Sequence, residues 1–387
     1  EVKYGKKHTY VGMDIDYNEE GMVSIGTSQY VQEVIDSFSE KCPITSKATS
    51  PTRGNLFTVN TMSPALDPER KALFHYCIAK LLYASKHCRL DILLTISILC
   101  TRVTRSTEED WLKLKRLIRY LYRTKERTLT LGANNLSMMD IMIDASCTVH
   151  EDMKSHTGGC FLFSRGVLLA KSVKQQLNVT SSTEAEFVGN SDYMPSAIYA
   201  KLFLGRQGYN LKTAQLNQNN ESTIKLITNG RNSCGKRSRH IDIRYFFLKD
   251  RVEKGEFTVK YCPTELMIAD FFTKPLQGSK FQKLSAVVMG EVSYEAFVKS
   301  ETTNSKERVE TCGPTVHYGI ESGSHVTQLG ESAQNEKVSF NVDGDVTSGA
   351  LSPGIKATYA DVVKHQLPPA CTGPYEQNKN NVAASHS

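Results

Sequence analysis

Four separated stretches of the 387-residue chain could each hand one side chain to a divalent metal: Met139–Ala145 (MDIMIDA), Ser181–Val188 (SSTEAEFV), Gln215–Ile224 (QLNQNNESTI) and Met267–Leu276 (MIADFFTKPL). Three carry a carboxylate that could serve as a ligand, namely Asp144, Glu186 and Asp270. The fourth offers Asn219 where an acid is wanted. Clustered carboxylates are what two-metal phosphodiester hydrolysis requires, one ion activating water and the other stabilising the leaving oxygen. An amide gives Mg2+ or Mn2+ only a neutral carbonyl oxygen. A cluster completed by Asn219 is therefore expected to bind either ion weakly.

Each residue also has a plainer reading. Glu186 follows Thr183 by three residues, the spacing of a helix capping box. Glu184 is its rival, but two residues along a helix turn the side chain by about 200°, so only one of the pair can face a site. Asp144 at a strand end could be a turn residue, and Asp270 a helix-surface acid. His240, between Arg239 and Ile241 and close to Arg237, suits a helix start or an RNA contact better than a metal.

A cluster drawn from distant stretches needs a sheet that delivers side chains from neighbouring strand ends. Met139, Ile141 and Ile143 alternate with other positions and predict a strand closed by Asp144. Gly159–Ser164 and Val167–Val173 predict a hairpin around Arg165-Gly166. A long helix over Ser182–Gln207, a short strand at Ala214–Leu216 and a helix from Asn220 to Thr228 follow. Then come a helix over Arg239–Lys254, a strand over Glu256–Cys262, a helix over Glu265–Phe272 and an extension through Ser279–Val288. This order predicts an α/β fold with a mixed five-stranded sheet covered by helices.

Upstream, Tyr10–Ile25 reads as a hairpin and Ser28–Phe38 as a helix with Tyr30, Val31, Val34, Ile35 and Phe38 on one face. Lys41–Ser63 is a Thr/Ser/Pro-rich connection. Three helices are expected over 68–85, 89–104 and 107–124, the first entered through Asp67 and Pro68. From about Glu291 the composition loses its period and predicts a disordered tail. The implied organisation is 1–60, 61–132, 133–290 and 291–387.

The net charge of +6 is concentrated in one place. Leu112–Arg127 (LKLKRLIRYLYRTKER) holds seven Lys/Arg against Glu126, so the remainder is close to neutral. Leu114, Leu117, Ile118 and Leu121 make its apolar stripe, and a solvated basic face is the ordinary alternative. The shortage of acids one turn away points instead to phosphate contacts through Lys113, Arg116, Arg119 and Arg123, with Arg237, Arg239 and His240 as a second basic set. Ten scattered cysteines without a C-x-x-C pair suit reduced intracellular thiols, whether cytoplasmic or nuclear. The longest apolar run, Leu90–Cys100, contains Asp91 and is too short to span a bilayer, so no membrane partner is expected. A first residue of Glu suggests a piece of something longer.

The words Ser181-Ser182-Thr183-Glu184-Ala185-Glu186-Phe187, Arg239-His240-Ile241-Asp242-Ile243-Arg244-Tyr245-Phe246 and Ile268-Ala269-Asp270-Phe271-Phe272-Thr273-Lys274-Pro275-Leu276, in that order, resemble the signatures of the ribonuclease H domain of copia-type LTR-retrotransposon polyproteins. Tyr10–Phe38 resembles the end of the adjoining reverse transcriptase, and Ser63–Arg123 its thumb-like connecting helices. The resemblance covers residues 8–290. It implies a ribonuclease H-like sheet after a mostly helical thumb remnant, with a disordered tail beyond. It implies metal ligands at Asp144, Glu186 and Asp270, and RNA–DNA hybrid or other nucleic acid as partner. The family's third carboxylate precedes Asn-Gln-Ser, and here Asn219 precedes Asn220-Glu221-Ser222. The family's second Asp-Trp is replaced by Ser146-Cys147, and no Tyr-x-Asp-Asp of a polymerase site occurs. Two functions stand open: an impaired nuclease separated from its upstream polyprotein domains, and a non-catalytic nucleic-acid binder.

Overall fold

The computed structural model describes residues 4–18, 21–133, 136–230 and 242–311. Arg237, Arg239 and His240 lie outside the described residues.

The chain opens with an antiparallel meander, β1 (Lys7–Tyr10), β2 (Met13–Tyr17) and β3 (Val23–Gly26). The hairpin expected over Tyr10–Ile25 is the β2–β3 pair, with Tyr17 opposite Val23. β1 was not foreseen. It closes onto β2 through Val11 (φ 50°) and Gly12 (φ 74°), a double left-handed turn that fits strand twist but strains a β-branched residue. Helix α1 (Ser28–Ser39) buries Val31, Val34, Ile35 and Phe38, four of the five apolar positions that the spacing singled out.

Helix α2 (Pro68–His87) starts as its residues dictate, with Asp67 accepting from the Arg70 N–H at 2.9 Å and Pro68 at the first position. The single helix expected over 89–104 is instead a 3-10 turn at Leu90–Ile92, helix α3 (Leu93–Cys100) and a second 3-10 turn at Val103–Arg105. The reason is local. Arg89 grips Asp91 with two hydrogen bonds of 2.9 Å, and residues two apart on an α-helix point away from each other. Helix α4 (Glu108–Thr124) is entered through Thr107, whose N–H donates to Asp110 at 3.0 Å. β4 (Leu129–Ala133) then pairs antiparallel with β3, a strand that the sequence left within a connection.

The second sheet contains β5 (Met138–Ser146), β6 (His156–Leu162), β8 (Val167–Lys174), β9 (Thr213–Gln218) and β10 (Thr258–Tyr261). The two-residue β7 (Ser164–Arg165) leaves the hairpin to join β4. The strand order is β10-β9-β5-β6-β8. β6 is antiparallel to both its neighbours, whereas β9 is parallel to both β5 and β10. This is the ribonuclease H-like mixed five-stranded sheet that the motifs implied. One face carries Met139, Ile141 and Ile143 against helix α5 (Ser182–Arg206), with helices α6 (Glu221–Asn229) and α7 (Asp242–Glu253) beside it. The other face carries Met142, Cys160 and Leu162, and belongs to one continuous core with Ile92, Leu117 and Phe272. Apolar packing therefore runs across position 132 without a break.

The expected helix over Glu265–Phe272 is two 3-10 turns, Thr264–Leu266 and Ile268–Phe272, followed by α8 (Gly278–Val288). The region read as a disordered tail from 291 begins with helix α9 (Tyr294–Thr311). Phe297 is buried in the shared core, and Glu295 accepts from the Ser164 hydroxyl at 2.8 Å. Short apolar spacing around Tyr294 thus sufficed to dock one more helix. The remainder of that expectation lies outside the described residues. No helix among the described residues is long and apolar enough to cross a membrane.

Candidate active site and nucleic-acid interface

Asp144 lies near the carboxyl end of β5, on the face that holds Met142, and is 2% exposed. Glu186 comes from the opposite face, from the first turns of α5. The helix is capped by Ser181, which accepts from the Glu184 N–H, and Glu184 turns back to the Thr180 N–H at 2.7 Å. The Thr183–Glu186 capping box is therefore not formed, and it is Glu186 that points inward. Its carboxylate accepts from the Ala145 N–H and, at 3.5 Å, from the Gln218 amide. Burial and the Asp144 charge raise its pKa well above the usual carboxylate range.

Asp270 stands in the 3-10 turn Ile268–Phe272, which lies directly on β6. The close approach needs Gly158, because a Cβ there would meet the Thr273 methyl at 2.6 Å and Phe272 Cβ at 2.9 Å. The turn delivers three groups to Asp144: the Thr273 hydroxyl, which donates to Oδ2, the Lys274 ammonium at 3.4 Å, and the Asp270 carboxylate nearby. Lys274 sits 2.6 Å from Asp270, and Lys280 approaches the other oxygen of Asp270 at 3.1 Å. Burial and the charge of Asp270 raise the Asp144 pKa against the pull of Lys274. Burial works against the Lys274 charge, but Asp144 and Asp270 outweigh it and raise the lysine.

The fourth stretch resolves into two amides. β5 and β9 are parallel, with Met142 opposite Asn217 as their last pair, and Asn219 follows in the bend just beyond the end of β9. It is half-buried and makes no side-chain hydrogen bond among the described residues. Gln218 is fully buried on the other face and reaches Glu186 and, at 3.5 Å, the Ile143 carbonyl. Gln218 was missed in the sequence. The period-two rule could have found it, since 218 shares a face with the core residues Ala214 and Leu216.

These residues do not fit a pair of divalent ions as they stand. Among the described residues no three His, Cys, Asp or Glu side chains gather closely enough to hold a metal. The ammonium of Lys274 occupies the position between the two aspartates.

The basic helix is more constrained than its sequence suggests. Lys113 is turned inward, donating to the Thr58 carbonyl at 2.6 Å, with Glu109 3.5 Å away. Arg116 donates to the Thr52 carbonyl and the Ser50 hydroxyl, both at 3.0 Å. Arg119 is half-buried, and its Nε has no hydrogen-bond partner. Arg123 is exposed. The connection after α1 therefore lies along the basic face. It also reaches the carboxylate region, since Gln277 accepts from Ser50 at 3.1 Å and donates to the Thr52 carbonyl at 2.8 Å.

No family model matches the chain. Among curated proteins, the retrovirus-related Pol polyprotein of transposon TNT 1-94 from Nicotiana tabacum is 25% identical over 268 residues, 68% of this chain and 20% of that one. The Ty1-BR Gag-Pol polyprotein of Saccharomyces cerevisiae is 24% identical over 288 residues, 72% of this chain and 16% of that one. The chain is thus similar to a stretch of copia-type Pol polyproteins. It spans a fifth or less of the length of these relatives. Two solved structures of lower similarity are the foamy viral protease-reverse transcriptase in complex with RNA/DNA hybrid and LC11-RNase H1. The first is 12% identical with TM-score 0.40, covering 67% of this chain and 29% of that one. The second is 11% identical with TM-score 0.26, covering 43% of this chain and 99% of that one. The signature stretch Ile268–Leu276 supplies both an aspartate and the lysine of the cluster.

Proposed function

We propose that this copia-type Pol segment holds nucleic acid, an RNA–DNA hybrid foremost, on a ribonuclease H-like domain whose hydrolytic site is impaired. The observation that carries the reading is the Lys274 ammonium bridging Asp144 and Asp270, and it is supported by Asn219 standing in the stretch where the family signature has a carboxylate. Descent supplies Asp144, Glu186 and Asp270 as the former catalytic set. A hard divalent cation wants several anionic oxygens at once. Here one is an amide and two are already neutralised by an ammonium. Mg2+ or Mn2+ taken up between the aspartates must displace Lys274, which makes its binding weak. Lys113, Arg116, Arg119 and Arg123 support nucleic-acid contact, as do Arg237, Arg239 and His240 of the family signature.

The test is cleavage of a labelled RNA–DNA hybrid in Mg2+ and in Mn2+ by the chain and by its Asn219→Asp variant. Cleavage by the variant alone is the expected result, with at least a hundred-fold gain over the parent, on the order of what one lost electrostatic stabiliser costs an enzyme. Ordinary turnover by the unaltered chain would falsify the impaired reading.

A further inference from the structure

A cavity of about 270 Å³ opens between α4 and the connection that crosses it. Its walls carry Arg53 from the connection and Lys113, Lys115, Arg116 and Arg119 from α4, against the single acid Glu109. Glu109 is already the partner of Lys113. Arg53, Lys115, Arg116 and Arg119 form no ion pair among the described residues, so four cations share one small space whose single carboxylate is engaged by Lys113. The crowding has a physical cost within the site. Burial lowers the Arg116 pKa, and repulsion from Arg53 and Arg119 lowers it further. The Nε of Arg119 is enclosed and unsatisfied, which in a folded protein calls for a partner that the chain does not supply.

The missing partner is an anion with several acceptor oxygens. Guanidinium groups are planar forks that match phosphate oxygens two at a time, and a phosphate relieves the repulsion that now burdens the site. Arg53 and Lys115 were not among the basic residues that the sequence pointed to. Arg53 belongs to a connection with no charge pattern of its own, and only the fold brings it to α4. The same face continues outward. Lys115, Arg119 and Arg123 follow one another at four-residue spacing, about 6 Å per step along the helix, and Arg123 is exposed. An isolated phosphate would need the cavity alone, whereas a strand would also use Arg123.

We propose that Arg53, Lys115, Arg116 and Arg119 form a binding pocket for one backbone phosphate of a nucleic-acid strand, which continues over Arg123. The proposal rests on the nucleic-acid reading but not on the carboxylate cluster or any metal.

The experiment uses the full chain in EDTA, so that hydrolysis plays no part. Inorganic phosphate binding is followed by calorimetry, and binding of a fluorescent single-stranded oligonucleotide by anisotropy at several salt concentrations. Circular dichroism verifies each variant's fold. Arg53→Gln and Lys115→Gln are expected to weaken both ligands about ten-fold. Each should also lower the salt slope of oligonucleotide binding by about one. Arg123→Gln is expected to weaken the oligonucleotide and leave inorganic phosphate unchanged. If Arg53→Gln and Lys115→Gln bind the oligonucleotide as the parent does, the pocket is overturned while the nucleic-acid reading stands. If phosphate binds in the pocket but no oligonucleotide binds to the chain, the strand is overturned as the ligand of the pocket, and the nucleic-acid reading is left to the hybrid-cleavage test.

Discussion

The carboxylate cluster and the α4 pocket treat charge in opposite ways. The cluster is dry and acidic, yet Asp144 and Asp270 have recruited Lys274 and Lys280 from their own neighbourhood. The pocket is basic, and Arg53, Lys115, Arg116 and Arg119 have recruited no acid among the described residues, Arg116 meeting only the Thr52 carbonyl and the Ser50 hydroxyl. A metal-binding site works because its negative charge is left for the ion to neutralise, and here that need is met from within. A phosphate-binding site works for the mirror-image reason, and there the need is open. On the proposed reading, the open charge marks the region that would meet a phosphate, and the compensated charge marks the region whose affinity for a metal is lowered.

The two regions are held in one frame by a third, fully compensated group. Burial opposes the Asp91 charge, but Arg89, Arg127 and the Tyr120 hydroxyl outweigh it and hold its pKa at about 2. Arg127 reaches on to Ser285 of α8 at 2.6 Å and to Glu291 at 2.8 Å, which ties α4 to the segment that follows the cluster. Removing one member of a buried ion pair strands the other in a medium of low dielectric. Asp91→Ala is expected to give the largest effect, a loss of roughly 3–5 kcal/mol in urea unfolding. It should weaken oligonucleotide binding at the α4 pocket at the same time, because α4 loses its anchor. An unchanged urea midpoint would show that the frame does not depend on this network.

Gly158→Ala disturbs the cluster alone. Its new methyl would lie within 3.0 Å of Thr273, Phe272 and the Ala269 carbonyl, so the turn that carries Asp270 must lift off β6. Overpacking of this kind costs about 1–3 kcal/mol. Oligonucleotide affinity should stay at the parent value, since the pocket does not touch β6. A joint loss of stability and affinity would mean that the two regions are not independent.

Much of this was legible in the residues. The sheet was legible because Met139, Ile141 and Ile143 repeat with period two, and the alternation persists although both faces are covered. Helix α1 followed from Val31, Val34, Ile35 and Phe38. Asp144, Glu186 and Asp270 were visible only as words of a family, since a strand end, a helix start and a 3-10 turn have no common period. What was not legible depends on contacts far apart in sequence. Lys274 meets Asp144 across 130 positions, and Arg116 meets Ser50 across 66. The same holds for β4, whose alternation of Leu129, Thr130 and Leu131 is too short to stand out and whose pairing is set by β3. Helix α9 reads as tail in the sequence because its apolar residues are few, and only the shared core gives Phe297 somewhere to go.

A pH titration sharpens the comparison from behind the cluster. His150 Nε2 and His156 Nδ1 are 3.0 Å apart, His156 meets the Ser172 hydroxyl at 2.8 Å, and Ser172 donates to the Phe272 carbonyl, next to Thr273. Burial and the neighbouring ring push the His156 pKa down to about 3; burial and the nearby Lys174 hold His150 at about 4. Both are therefore neutral in the fold below the pH at which the unfolded chain takes up its protons. With more protons on the unfolded chain, stability rises with pH in this window. Their contribution is complete above about pH 6.5 and is lost as pH falls from there toward 4. Each ring costs up to about 1.4 kcal/mol per pH unit. Asp144 and Glu186 act in the opposite sense, since raised carboxylates favour the fold as pH falls. The expected result between pH 7 and 5 is a net loss of stability in the parent, and a smaller loss or a gain in His156→Gln, read from urea midpoints. If the variant loses as much as the parent, the buried imidazole does not govern the acid side, and the ring pair behind Thr273 plays no part in how the cluster responds to protons.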